Sequence, residues 1–573
     1  MLTQTAPSLL TTTNRSDVSS LLDLAARHYQ HRAEDTAVVF IPPDGSPHRL
    51  LTYRTFYQGA ARYAEALRQS GVAARDLAIL VMDHSEALLY AFWGALMIGA
   101  VPSIFPFLSD KLDPSLYFQR VKTLISHSEA KVIIAGEQFA PQLAALEANV
   151  PIVVESQLPQ ASGAPQFATD VTSSDIAFLQ HSSGSTGLQK GVALSHHAVL
   201  NQLASYAEAI QLRTEDVIVS WLPLYHDMGL IAGFVMPLMQ GIPLILMSPH
   251  HWVRDPKLLL HAISTYRGTL CWLPNFAYNF LSARIRDAQL EGVSLASMRA
   301  FINCSEPMRV DSHRQFVARF ADYGVKPEML ATCYAMAENT FAVTQGGISR
   351  LPTVDTINRN ILSTQNIARP ALPGELSLEM LSCGTPIPNC EVMIVSEARN
   401  PLPEREVGEV AVRSDSMLTG YYRRPDLTGQ AMFDGWYLTG DMGYLADGEL
   451  YITGRKKDLI IVGGKNIYPQ DLEAIANEVE GVKPGRVVAL GVPDEKLGTE
   501  SAVIVVESES DDEEVRFEIA RQIRMRVAQQ TEISLSDVLV VDLKWLHKTS
   551  SGKIARAANR DKYLQMRDGG AHS

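Results

Sequence analysis

Cysteine is scarce in this chain: five residues in 573 (Cys271, Cys304, Cys333, Cys383, Cys390), none in a CxxC pair. Such scatter fits neither a disulfide framework nor a zinc site and leaves reduced, buried thiols as the reading. A basic excess is missing as well. Fifty Lys+Arg stand against 63 Asp+Glu, a net charge of −13, so the electrostatic footprint of a nucleic-acid binder is absent. The opening MLTQTAPSLLTTTNRSD shows no basic segment followed by an apolar one; no signal peptide is read there, and a cytoplasmic protein is expected. Internal repeats and low-complexity tracts are also lacking. Charge-free runs of bilayer length number two, Ala87 to Leu108 and Met228 to Pro249. Gly94, Gly99, Pro102 and Pro106 break the first, stopping a helix near Met97, and Gly233, Pro237, Gly241 and Pro243 break the second. Both read as the core of a large α/β domain, without stable membrane insertion.

What is present is an ordinary globular composition, 46% hydrophobic and 20% charged, long enough for roughly three or four domain-sized units. Helical and strand patterns alternate early: helix over Val18–Arg32, strand over Ala37–Phe40, helix over Tyr53–Gly71, strand over Leu77–Val81, helix over Ser85–Ile98, strand over Lys131–Ala135. The alternation continues through Leu200–Ile210, Val217–Leu222 and Leu244–Met247. It implies βα units and a mostly parallel sheet. From about Cys390 short strands and Gly/Asp turns take over, at hairpin spacing. After Arg455–Asp458 a mixed pattern follows, with helices over Pro469–Val479 and Asp512–Gln529, enough for a small α+β domain with its own core. The expected fold is therefore α/β. A large domain (1–455) of mixed and parallel sheets flanked by helices carries a β-rich subdomain (about 390–455), and a small α+β domain (456–573) follows.

Several segments carry chemistry. The run His181-Ser-Ser-Gly-Ser-Thr-Gly-Leu-Gln-Lys190-Gly191 follows a strand-like stretch (Ile176–Gln180). Its glycines let backbone N–H groups converge, hydroxyls add donors, and Lys190 neutralises charge, so the loop suits a polyphosphate. It is not a Walker A loop, because Gly191 follows the lysine where Ser or Thr belongs; a flexible Ser/Gly linker has the same composition. The segments Trp221-Leu-Pro-Leu-Tyr225-His226-Asp227-Met228 and Tyr334-Ala-Met-Ala-Glu338-Asn339-Thr340 each hold a lone titratable group in apolar surroundings, which more often means a satisfied core residue. Tyr437-Leu-Thr-Gly440-Asp441 runs on to Tyr451-Ile-Thr-Gly454-Arg455-Lys456-Lys457-Asp458. An aspartate on a Gly-flanked turn accepts both hydroxyls of a ribose diol, or makes an Asx turn. Last comes Lys548-Thr-Ser-Ser-Gly-Lys553-Ile-Ala-Arg556, whose lysines also fit a solvated surface loop.

In this order and spacing, from about Leu21 to Arg556, these segments resemble the adenylate-forming enzymes: acyl-CoA synthetases, peptide-synthetase adenylation domains and luciferases. The wording SWLPLYHDMGL, YAMAENT, GGKNIYPQDLE and KTSSGKIAR is similar to the fatty acyl-AMP ligase branch. Roughly 45 residues separate Glu338 from Cys383, including the polar stretch Gly346–Gly374; so long a piece marks a function or an insertion. Fatty acyl-AMP ligases carry an insertion there that braces the small domain and hinders reaction with coenzyme A.

The resemblance implies that a carboxylate attacks the α-phosphorus of ATP, releasing pyrophosphate and leaving an acyl-adenylate, from which a thiol then takes the acyl group. It assigns Ser182, Ser183, Gly184, Ser185, Thr186, Gly187 and Lys190 to the phosphates. Tyr334 stacks on adenine, with Asn303, Cys304, Ser305, Ala335 and Met336 around it, and Asp441 and Arg455 hold the ribose. Lys553 stands between carboxylate and α-phosphate, His226 at the junction of acyl tunnel and nucleotide, and Glu338 holds Mg²⁺. Lys457 falls at the hinge about which a mobile small domain swings. Trp221, Met228, Trp272 and Phe276 are candidates for an apolar acyl pocket. No carrier-protein signature follows Lys553, so the expected partner is a separate phosphopantetheinylated acyl carrier protein. Ala335 stands where the family has glycine and Gln189 where it has proline; neither removes a charged group. An acyl-CoA synthetase, or a non-catalytic nucleotide- or acyl-binding member, remains the alternative.

Overall fold

The computed structural model describes the chain except residues 1, 3–8, 14–16, 107–113, 147–149, 161–162, 183–189, 463–464, 495–498, 532, 550–551 and 570–573. Two large sheets organise the first 450 or so residues. The nine-stranded sheet runs, from edge to edge, through Thr385–Pro386, Ala342–Gly346, Leu330–Ala335, Ala300–Cys304, Leu270–Leu273, Ile218–Ser220, Leu244–Met247, Thr36–Ile41 and Arg49–Thr52. Its inner pairings are parallel and its edges antiparallel. The seven-stranded sheet runs through Gly420–Tyr421, Lys190–Ser195, Ile176–Ser182, Val101–Ile104, Leu77–Val81, Val132–Ala135 and Ile152–Val154. Strands such as Leu77–Val81 and Leu244–Met247 are buried at every position, as parallel strands covered on both faces must be, and this is why they read as unbroken apolar runs.

Helices Tyr53–Gln69 and Glu86–Met97 pack against each other beside these sheets. Thr52 and Ser85 cap them, each side-chain oxygen accepting a backbone N–H of the first turn; losing such a cap costs about 1 kcal/mol. Phe56, Tyr57, Ala60, Tyr63, Ala64 and Leu67 form the buried stripe of the first helix. Gly94 lets the second approach: a Cβ there would lie 2.6 Å from Tyr63 Cβ and 2.7 Å from the Ala60 carbonyl oxygen. The first charge-free run is thus a buried helix ending at Met97 followed by strand Val101–Ile104. The second is a buried π-helix Met228–Val235, helix Met236–Gln240 and strand Leu244–Met247. Among the described residues no helix is long and apolar enough to cross a membrane.

The β-rich region pairs Cys390–Val395, Gly408–Ser414, Trp436–Ala446, Met432–Phe433 and Glu449–Arg455 in a five-stranded antiparallel sheet. Beyond it, strands Val482–Asp494, Thr499–Ser508 and Asp537–Val541 form a three-stranded sheet. Helices Pro469–Asn477, Glu513–Thr531 and Arg556–Gly569 accompany it. An apolar cluster around Ile504, Leu472 and Ile523 draws only on residues from Ile460 onward. The polar stretch flagged as an insertion folds into hairpin Val354–Asn358/Ser377–Leu381 with helix Arg359–Gln365 between its strands. Its Ile357 and Leu362 share a cluster with Tyr444, Tyr451 and Tyr468. Asn366 Oδ1 accepts from Asn466 Nδ2 at 2.8 Å, and Arg359 Nη1 donates to the Gln530 carbonyl at 2.8 Å. This hairpin and helix therefore touch the region after Arg455 at two separate points.

Helix His196–Ala209 begins four residues before the position that the sequence pattern suggests. Ser195 caps it, and His196 is buried, its Nδ1 accepting from the Leu21 N–H at 3.2 Å. Polar histidines mask an inward-facing first turn.

Candidate active site

The strands Ile176–Ser182 and Lys190–Ser195 are antiparallel neighbours with Ser182 opposite Lys190. Ser183, Gly184, Ser185, Thr186 and Gly187, assigned to the phosphates, lie outside the described residues. Lys190 opens the returning strand, and its Nζ lies 4.6 Å from the ring centroid of Tyr421. Tyr421 arrives on strand Gly420–Tyr421, antiparallel to Lys190–Ser195 with Tyr421 opposite Val192. Its hydroxyl donates to Glu338 Oε1 at 2.9 Å and lies 2.9 Å from the Tyr437 hydroxyl. Sequence reasoning assigns a role to neither tyrosine.

Glu338 sits in a single turn, Ala337–Asn339, after strand Leu330–Ala335. The next residue, Thr340, has φ 62° and ψ −51°, a strained conformation for a β-branched residue. It is held there from three sides. Gln180 Nε2 donates to its carbonyl at 3.2 Å, its Oγ1 donates to the Ser416 carbonyl at 2.7 Å, and its N–H donates to the Ala337 carbonyl at 3.0 Å. Strain fixed by partners from other strands is how a fold holds one side chain at a set point.

Beside this turn Tyr334 OH donates to Asp441 Oδ2 at 2.6 Å, and Arg455 Nε lies 3.2 Å from Asp441 Oδ1. Asp441 and Arg455 are register partners in the β-rich sheet. Three residues expected around the nucleoside thus form one clasp, with the Arg455 guanidinium held charged first by Asp441. Lys457 feels the same groups. Partial desolvation comes first and Arg455 second in lowering its pKa, with Asp458 and Asp441 raising it and Lys190 lowering it further.

His226 and Asp227 lie in the turn after strand Ile218–Ser220, at the mouth of the π-helix. Burial pushes the His226 imidazole down to about 3, with the Lys553 charge adding to the effect; it is neutral at pH 7. Its Nε2 is buried without a hydrogen-bond partner. Burial pushes Asp227 up to about 6, against the Met228 N–H that it accepts at 2.7 Å and against Lys553, while Glu338 adds to the rise. Lys553, His226, Asp227 and Glu338 therefore share one electrostatic neighbourhood, although Lys553 comes from the small domain. Gly229 is required beneath it: a Cβ there would lie 2.2 Å from the Pro223 carbonyl oxygen.

Other assigned residues are placed differently. Asn303 is fully buried, its Nδ2 donating to Asn275 Oδ1 at 3.0 Å and lying 3.0 Å from His313 Nε2. Its side chain faces the core, as does the Cys304 thiol. Ser305, at φ 69°, is half-buried, its Oγ 3.5 Å from Cys304 Sγ. Ala335 and Met336 are half-buried beside Tyr334. Of the acyl-pocket candidates, Trp221 stacks on Trp252 with centroids 3.6 Å apart, and the ring of Phe276 meets it edge-on at 6.2 Å. Met228 is buried nearby in sequence, its Sδ 3.9 Å from Ser305 Oγ. Trp272 stands apart, its indole N–H donating to Tyr206 OH at 2.8 Å. Trp252, unnamed from sequence, completes the aromatic group.

A Mg²⁺ ion needs few protein ligands when phosphate oxygens supply the rest. Glu338 offers a hard oxygen donor oriented by Tyr421, and among the described residues no cluster of three or more His, Cys, Asp or Glu forms a closed cage. The residues present fit a cation that arrives with a nucleotide.

Similarity to known proteins extends along nearly the whole chain. The chain is 31% identical to a 4-hydroxyphenylalkanoate adenylyltransferase of Mycobacterium marinum, over 96% of this chain and 92% of that protein. It is 30% identical to the medium-chain-fatty-acid–[acyl-carrier-protein] ligase JamA of Moorena producens, over 96% of each. A solved structure from a study of fatty acyl-adenylate ligases of E. coli and L. pneumophila superposes with a TM-score of 0.88 at 27% identity, covering 97% of this chain and 99% of that one. The model of the family described as AMP-binding enzyme matches residues 25–422, most of the chain and every large-domain strand that frames the cleft up to Tyr421. The chain belongs to the AMP-binding enzyme family.

Proposed function

We propose that the protein activates a fatty acid with ATP, releasing pyrophosphate and forming an acyl-adenylate, and then passes the acyl group to the phosphopantetheine thiol of a separate acyl carrier protein. The observation that carries this reading is the convergence of the Tyr334–Asp441–Arg455 clasp with Glu338, Lys190 and the Lys553 charge at one cleft. JamA, matched along its length, is a fatty-acid–[acyl-carrier-protein] ligase by name.

In the first step a carboxylate oxygen forms a bond to the α-phosphorus while the α–β phosphoanhydride bond breaks, and the electron pair leaves with pyrophosphate. Two anions must meet, so the barrier is largely electrostatic and positional. Asp441 accepts ribose hydroxyls and fixes the nucleoside; Lys190 neutralises departing phosphate charge; Lys553 offsets charge where the anions collide. Neutral His226, its Nε2 unpartnered, presents a polar atom to the junction without adding charge. Glu338 would hold a Mg²⁺ ion arriving with the nucleotide, which would supply further neutralisation of phosphate charge. In the second step the thiol sulfur bonds to the acyl carbon, the acyl–phosphate bond breaks, and AMP leaves.

The proposed acceptor is supported by the resemblance of the 338–383 insertion to that of fatty acyl-AMP ligases and by the match with JamA; the insertion's contacts through Asn366 and Arg359 limit movement of the small domain. The test is fatty-acid-dependent ATP–pyrophosphate exchange, then incubation with either coenzyme A or phosphopantetheinylated carrier. Exchange with fatty acids and acylation of the carrier alone is the expected result. Efficient acyl-CoA formation overturns the acceptor, and absence of exchange overturns the enzyme.

A further inference from the structure

Residues 305–309, between strand Ala300–Cys304 and helix Val310–Phe320, carry opposite charges at Glu306 and Arg309. The N-terminus of helix Asn275–Arg284 anchors both. The Phe276 N–H donates to Glu306 Oε2 at 3.0 Å, and the Arg309 N–H donates to Asn275 Oδ1 at 3.1 Å. Asn275 is fixed in turn, its Nδ2 donating to Ser312 Oγ at 3.1 Å and its Oδ1 accepting from Asn303 Nδ2 at 3.0 Å. The inward-turned Asn303 amide therefore stiffens this loop from below.

Across the cleft Arg309 meets the opposite sign on the small domain. Arg309 Nη2 donates to the Gln470 carbonyl at 2.7 Å and lies 3.5 Å from Asp471 Oδ1, in the first turn of helix Pro469–Asn477. Gln470 also reaches back, its Nε2 donating to the Thr453 carbonyl of the last β-rich strand. Burial pushes the Glu306 carboxyl up, and the Phe276 N–H and the charges of Lys553 and Lys548 oppose that push. An anchored loop thus holds the small domain through Arg309, with Glu306 beside it in the field of the Lys548 and Lys553 charges.

We propose that Arg309, through Gln470 and Asp471, forms a clamp that docks the small domain with Lys553 in the cleft, and that Arg309 is a positioning residue for adenylate formation. The inference rests on the function proposed above. Arg309 is directed at the small domain rather than at the nucleotide clasp, so its loss lowers the rate of the step in which anions collide. Thiol transfer starts from an adenylate already made and has no such collision to screen, so it is spared.

The experiment measures the half-reactions separately for wild type, Arg309→Ala, Asp471→Asn, Arg309→Glu and the charge swap Arg309→Glu/Asp471→Arg. Alongside, the interdomain distance distribution is read by electron spin resonance between labels at Glu291→Cys and Gln529→Cys, both exposed positions. The native thiols are buried, so labels go to the introduced ones. Expected are a fall of about 5- to 20-fold in adenylation kcat for the single variants, screened because both partners are partly exposed, with KM for ATP unchanged. Transfer from supplied acyl-adenylate stays within about twofold, the distance distribution broadens, and the swap recovers most of the loss. Equal loss of both half-reactions, no recovery in the swap, or an unbroadened distribution in Arg309→Ala overturns the clamp. If wild type fails to exchange pyrophosphate with any fatty acid, the enzymatic reading fails while the distance distribution still decides the clamp.

Discussion

Tyr421 donates its hydroxyl to Glu338 Oε1 at 2.9 Å while its ring centroid lies 4.6 Å from the Lys190 ammonium. Lys190 and Glu338, proposed to neutralise phosphate and to hold the metal, come from different sheets, and this tyrosine joins them. Tyr421→Phe keeps the ring and removes the bond to the carboxylate. A charge-assisted hydrogen bond is worth about 1.5–3 kcal/mol, so adenylation should fall roughly tenfold or more, with a raised Mg²⁺ concentration for half-maximal exchange. Tyr437→Phe, which leaves the bond from Tyr421 to Glu338 in place, should shift the Mg²⁺ requirement much less. Equal shifts in the two variants would show that the hydroxyl pair matters only for packing.

Lys553→Ala should cut fatty-acid-dependent pyrophosphate exchange by about 10²–10³, the magnitude of removing one preorganised charge-stabilising group. ATP affinity, measured by calorimetry, should stay within a fewfold, because Tyr334, Asp441 and Arg455 hold the nucleoside without it. Near-normal exchange in that variant would remove Lys553 from the mechanism.

The parts legible in the sequence are those whose environment is uniform or whose chemistry is local. Leu77–Val81 and Leu244–Met247 are legible to the residue because burial on both faces leaves only apolar side chains. The starts of helices Tyr53–Gln69 and Glu86–Met97 are legible to within one residue, because short-range hydrogen bonding by Thr52 and Ser85 sets them. The roles of Tyr421, Trp252 and Arg309 stay hidden because their partners are remote in sequence: Glu338 is 83 residues from Tyr421, and Gln470 is 161 from Arg309. Asn303 reads as a polar residue on a turn, and only the arrival of Asn275 and His313 turns its amide into the core. Periodicity reports which face is buried; it does not report which distant residue a tyrosine or arginine will meet.

Asp227 gives a pH signature. Its carboxyl is pushed up from an ordinary value of 3.8 to about 6 by burial, so the folded state favours the protonated form. That contribution to stability is complete below pH 4 and is lost as pH rises through 6. Asp227→Asn mimics the neutral acid at every pH. Relative to wild type it should gain stability between pH 4 and 7, by about 3 kcal/mol at most for a shift of this size. Urea midpoints for both proteins across that range measure it, and a difference independent of pH would contradict the assignment.

Asp441 tests the nucleoside clasp. Its two oxygens are engaged by Tyr334 OH and Arg455 Nε in the free protein, so the carboxylate is oriented before ribose arrives. Asp441→Ala removes the acceptor and leaves the buried Tyr334 hydroxyl without it, an added cost of about 1–3 kcal/mol in stability. Asp441→Asn keeps one oxygen for Tyr334 but loses the ion pair with Arg455. KM for ATP should therefore rise in the order wild type, Asn, Ala, reaching tenfold or more in Ala, with the fatty-acid KM little changed. A variant that loses kcat at constant KM for ATP would mean that Asp441 acts on the transition state rather than on the bound nucleoside.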